Sequence, residues 1–97
     1  MTEEIRVNYA ALEEMAQHCD QVASRLYDTI QLSHKIAQEM LNDAMIGDTG
    51  DAFANALSGA FNSSIANLSM KFLEVARDIR GAVDDMKAAD SDASSQF

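Results

Sequence analysis

Apolar residues in the first half of the chain fall at Leu12, Met15, Cys19, Val22, Leu26 and Ile30, in steps of three and four. That spacing lays them along one stripe of a long helix that packs on another helix. The pattern continues less strictly through Ala37, Met40 and Ala44. The second half repeats it at Phe53, Leu57, Phe61, Ile65, Leu68, Phe72, Val75, Ile79, Val83 and Met86. Two helices are predicted, over about 8–45 and about 52–89, each roughly 50 Å long at 1.5 Å per residue. Asn8 is placed to cap the first, with Glu13 and Glu14 near the positive end of its dipole.

Between the two runs lies AMIGDTGDAF, residues 44–53, with two of the four glycines of a proline-free chain. Gly47 is expected to end the first helix in a left-handed conformation. Asp48 is then expected to cap the second helix, with Asp51 answering in a capping-box-like pair and Gly50 relaxing the backbone between them. A turn confined to 46–51 leaves the helices no room to diverge, so they fold back as an antiparallel hairpin. Residues 91–97, SDASSQF, read as a flexible tail.

A lone hairpin of two helices buries little. Each helix meets the other along one line, and here the apolar positions are wider than one seam: Tyr27, Leu32 and Ile36 lie off the first stripe, and Ala60, Leu73 and Ala76 broaden the second. Fully burying a Leu or Phe side chain is worth about 1.5–3 kcal/mol, much of which an isolated hairpin forgoes. The fold class predicted is therefore all-α, an antiparallel helix-turn-helix hairpin that pairs with a second into a four-helix bundle, as homodimer or heterodimer. Leu26, Ile30, Phe61, Ile65, Leu68, Phe72 and Ile79 are the candidate interface.

Composition narrows the functions. At 97 residues and 47% apolar, the chain is one small ordered domain. Its net charge of −9 argues against nucleic acid, which is bound through clustered Lys and Arg. The acids are spread evenly, eight in the first 44 residues and eight in the rest. They suit a solvated surface or contact with a basic partner. Cys19 is the single cysteine, so no internal disulfide forms, and its place in the stripe suits a small core residue. The N-terminal MTEEIRVNYA has acids where a signal peptide needs bases, and no run approaches the roughly 20 apolar residues of a membrane span. Export, if it occurs, would follow a Sec-independent route.

Catalytic chemistry is not expected. His18 and His34 are the only histidines; Glu14 and His18 share a face, but no paired-Cys, Glu-x-x-His or His-Glu-x-x-His motif accompanies them. Asp84 and Asp85 are adjacent on a helix and diverge by about 100°, poor geometry for paired acid–base work. No metal, cofactor or catalytic residue is assigned.

The turn and its flanks resemble a family of small helical hairpins, the WXG/ESAT-like proteins secreted by type VII systems. Those proteins carry a Trp-x-Gly turn at mid-chain, then a small residue and an aromatic. Here Met45-Ile46-Gly47 takes the Trp-x-Gly place, and Ala52-Phe53 the pair that follows. The family's export motif, Tyr-x-x-x-Asp/Glu near the end of the second helix, is matched by MKAAD, Met86 to Asp90, which begins 41 residues after Met45 and keeps the acid. Met stands in place of the motif's Trp and again in place of its Tyr. The turn motif is thus Met45, Gly47, Asp48, Gly50, Asp51 and Phe53, and the export element Met86 and Asp90.

A turn without Trp is most similar to the LXG-associated α-helical (Lap) branch in Gram-positive bacteria. That resemblance implies a targeting chaperone that binds the helical LXG domain of a toxin and presents it to the secretion apparatus, cytoplasmic first and extracellular afterwards. Two other roles fit the same residues: a self-dimerising secreted WXG-type effector, and an acidic cytoplasmic adaptor or antitoxin-like regulator.

Overall fold

The computed structural model describes residues 7–44 and 47–95 of the chain. Met45 and Ile46, two of the predicted turn residues, lie outside them. The first helix runs as α1, Tyr9–Glu39, and ends in a π-helical turn, Met40–Ala44. After the turn the chain continues through α2, Asp48–Ala56, a second π-helical turn, Leu57–Phe61, and α3, Asn62–Ser95. Backbone angles at the joins, Ala56, Leu57 and Asn62, are all right-handed helical, so α2 and α3 form one continuous rod. This is the predicted all-α hairpin of two long helices. The molecule measures 75 × 21 × 17 Å.

Asn8 caps α1 as expected, its side-chain oxygen accepting from the Ala11 amide at 3.0 Å. At the second helix the capping differs from the prediction. Gly47, not Asp48, is the cap, with φ 116° and ψ −165° and no side-chain hydrogen bond. Its φ is positive, but this is the extended positive-φ region that glycine alone populates freely, not the left-handed helical one. The Asp51 amide donates to the Gly47 carbonyl at 3.1 Å, closing the first turn. Asp48 and Asp51 therefore sit inside that turn, where their charges face the helix dipole. Gly50 is not a relaxed linker either; it is helical and buried. An added Cβ at Gly47 would meet nothing within 4 Å, so Gly47→Ala isolates the backbone cost. We expect a loss of about 1–3 kcal/mol in urea unfolding.

The second helix also starts earlier than 52 and ends later than 89. It continues through Ser95, because Ser, Asp and Ala in this stretch include no Gly or Pro to break it. The expected tail from 91 is thus helical to that point.

The π turn Leu57–Phe61 falls within a run of apolar residues. Phe53, Leu57, Phe61 and Ile65 are spaced by four. Of these, Phe53, Leu57 and Phe61 line one groove.

The seam between the helices is built from small residues. Ala16, Ala23, Ala37, Ala54, Ala76 and Val83 are the buried apolar residues, joined by Ser33 and Gly50. The Ser69 hydroxyl donates to the Ala23 carbonyl at 2.9 Å, a bond that requires the two backbones to run close together. Ala76 thus belongs to the seam rather than to the outer edge of the stripe.

Candidate partner-binding face and helix-end cluster

Around the seam, burial changes row by row, in steps of seven residues. The innermost row holds Ala16, Ala23 and Ala37 on α1 and Ala76 and Val83 on α3, all buried, with Ile30 half-buried in the same row. The next holds Leu12, Cys19 and Leu26 on α1 and Ile65, Phe72, Ile79 and Met86 on α3, all half-buried. The third holds Met15, Val22 and Ile36 on α1 and Phe61, Leu68 and Val75 on the second helix. Here Met15, Leu68 and Val75 are 52%, 46% and 46% exposed. In an antiparallel pair of right-handed helices, rows displaced in the same sense from the seam fall on the same side. One face of the hairpin is therefore a continuous apolar slope.

The opposite flank is mostly polar. Arg80 donates from Nε to Glu13 at 3.2 Å and pairs through a terminal nitrogen with Asp20 at 2.8 Å. The two carboxylates, Asp20 more strongly than Glu13, stabilise the charged guanidinium. Glu13 thus serves the interhelical pairing rather than the dipole of the first turn, and the pairing fixes how far α3 can slide along α1. Exposed apolar residues off the slope include Tyr27, Leu41, Met70 and Leu73.

Of the predicted interface residues, Leu26, Ile65, Phe72 and Ile79 lie half-buried on the apolar slope, and Phe61 and Leu68 stand exposed on it. Ile30 does not. It lies in the innermost row between Ala23 and Ala37 and lines a cavity of about 420 Å³ with Gln31, His34 and Asn62. Near the turn the slope deepens into a groove of about 230 Å³ lined by Thr29, Leu32, Ser33, Ile36, Phe53, Leu57 and Phe61. Leu32 and Phe53, 57% and 47% exposed, form its rim.

The hairpin leaves much surface in water. A folded monomer of 10.6 kDa exposes about 5,500 Å², whereas this chain exposes 7515 Å². The excess, roughly 2,000 Å², goes with the elongated 75 × 21 × 17 Å shape, in which neither helix is covered on its outer sides.

At the open end of the hairpin, Tyr9 reaches across to α3. Its hydroxyl donates to Asp90 Oδ2, and the Lys87 ammonium lies 5.4 Å from the centre of its ring. The expected export element is thereby split: Asp90 is exposed and held by a residue 81 positions away, while Met86 is half-buried on the apolar slope. The sequence pattern did not reveal Tyr9, since it lies outside both stripes. The hydrogen bond to Asp90, then burial and the nearby carboxylate charge, raise the Tyr9 pKa above its ordinary 10.0. Only the neutral phenol donates, so the tie is complete below pH 10 and is lost as pH climbs through the raised value. Melting curves taken across this range should show an alkaline loss of stability that Tyr9→Phe diminishes.

Among the described residues no three metal-ligating side chains come together, and no helix is long and apolar enough to cross a membrane. Glu14 and His18 approach within 3.8 Å on an exposed helix face.

The described residues thus form an all-α helical hairpin with one apolar face. The WXG100 family, proteins of 100 residues with WXG, matches residues 4–91, and the chain belongs to it. Members are small helical proteins related to type VII secretion that pair as homo- or heterodimers. No curated protein and no solved structure matches the chain.

Proposed function

We propose that the chain is a targeting partner for a type VII substrate. It lays its apolar face along the helices of the N-terminal LXG domain of a toxin, in a Gram-positive bacterium. Together they complete a core that neither builds alone. The one-sided apolar slope carries this reading, because a face some four rows wide and continuous over both helices needs helices, not a loop or a small molecule, to cover it. The chain works by binding, without catalysis, metal or cofactor. It is made in the cytoplasm and leaves with its partner by a Sec-independent route. The end of α3, with Asp90 exposed, is the part offered to the secretion apparatus.

Two measurements test this. The mass of the purified chain is taken in solution, alone and co-expressed with the proteins encoded beside it. A monomer that becomes part of a stable heteromer supports the role, whereas a tight homodimer indifferent to every neighbour replaces it with a self-dimerising secreted protein. For the export element, Asp90→Ala should lower the amount of chain in the medium at least about tenfold, a loss of one charged contact, while the complex forms as before. Undiminished export would move the signal elsewhere.

A further inference from the structure

Resting on the export role proposed for Asp90, we infer that Tyr9 is the other half of that element. The receiving protein of the secretion apparatus reads Asp90 as Tyr9 holds it, on a surface built by both ends of the hairpin, and meets the carboxylate with a Lys or Arg. The seam sets up this arrangement. In steps of seven, Ala37, Ile30, Ala23 and Ala16 lead back to Tyr9 on α1, and Asn62, Ser69, Ala76 and Val83 lead on to Asp90 on α3. Tyr9 and Asp90 thus form the outermost described rung of the innermost row, 81 positions apart in the chain. Within that rung the donor is half-buried and the carboxylate exposed. The Lys87 ammonium, one turn before Asp90, lies 5.4 Å from the centre of the Tyr9 ring. The phenol is held by the fold, while the acid it bonds faces water.

This bond orients the carboxylate without neutralising it. A phenol is a neutral donor, so the negative charge remains for a cation from outside. An aspartate alone on an exposed helix face turns among several rotamers. A receptor that had to immobilise it would bind about two- to tenfold more weakly for that ordering. Here the ordering is complete before recognition. Because hydroxyl and carboxylate come from opposite ends of the chain, the element exists only when α1 and α3 are packed together. Tyr9 is a positioning residue and acts through Asp90.

The test follows the full chain into the culture medium of its own host, with complex formation and thermal melts measured on the same variants. Asp90→Ala should lower export at least about tenfold. Asp90→Asn, which can still accept the Tyr9 bond but carries no charge, should do the same. Tyr9→Phe keeps the ring under Lys87 and loses the hydroxyl; export should fall about two- to tenfold. The double variant, Tyr9→Phe with Asp90→Ala, should be exported as poorly as Asp90→Ala alone, because nothing is left to position. Arg80→Gln loosens the same two helices at Glu13 and Asp20 without touching Asp90, and should leave export near that of the parent. Parental or increased export of Tyr9→Phe, a further loss in the double variant, or an equal loss from Arg80→Gln would each overturn the part given to Tyr9. Parental export of Asp90→Asn would overturn the basic contact. If Asp90→Ala is itself exported normally, the export element falls and this inference with it. If Asp90→Ala lowers export and Tyr9→Phe does not, the element stands and Tyr9 has no share in it.

Discussion

A chain carrying Phe61→Asp is expected to remain a helical hairpin and to lose its assembly. Phe61 is 43% exposed in the isolated chain, so a carboxylate at this position reaches water and adds little to the cost of folding. Once a partner helix covers the slope, the same carboxylate is shut away with Phe53 and Leu57 as neighbours in the groove wall. An unpaired buried charge costs about 3–5 kcal/mol, which weakens binding by a factor on the order of 10²–10³ or more. Circular dichroism reports the first half of the expectation, and light scattering of the co-expressed complex the second. Phe72→Asp supplies the comparison. Phe72 is half-buried already, so its replacement should damage hairpin and assembly together. If Phe61→Asp assembles like the parent chain, the exposed apolar row is ordinary surface and the partner lies elsewhere.

Ala76→Leu should do the opposite, striking the fold before the interface. Ala76 is 1% exposed in a seam whose width is set by the Ser69 hydroxyl bonding to the Ala23 carbonyl at 2.9 Å. Three extra carbons have no space there without pushing the rods apart, and overpacking of this kind costs about 1–3 kcal/mol or more. In a domain of this size each kilocalorie lowers the melting temperature by about 4–8 °C, so a fall of roughly 10–20 °C is expected in thermal melts. Val75→Leu, one residue away and 46% exposed, adds bulk outside the seam and should leave the melting temperature nearly unchanged. Equal melting of both variants with the parent would show that the helices are not held at the distance the small residues imply.

The helical stripes were legible beforehand because helical periodicity is local. Spacing alone put Leu26, Ile30, Phe61, Ile65, Leu68, Phe72 and Ile79 on apolar stripes, but it did not say which of them would turn toward the seam. Asn8 was recognised as a cap from residue type and position, since a capping bond spans only three residues. Reading the turn was harder. Asp48 is a better cap by type than Gly47, but only glycine adopts the positive φ by which the chain enters α2, and backbone geometry outranked side-chain preference. The π turn followed no residue type, and helical periodicity alone does not mark it.

By itself the sequence determined that two long amphipathic helices form, where they turn back, and that their apolar surface exceeds what a pair can bury. All three follow from interactions between near neighbours and from simple geometry. Which apolar residues go inside was decided only when the helices met. At close approach the backbones admit Ala, Ser and Gly and exclude Leu, Met and Phe, so the small residues of the stripes became the seam and the large ones were left facing outward. The contacts of Arg80 with Glu13 and Asp20, and of Tyr9 with Asp90, belong to the same stage. They join positions 60 or more residues apart, and no periodic pattern within one helix can specify which side chain of the other will lie across from it.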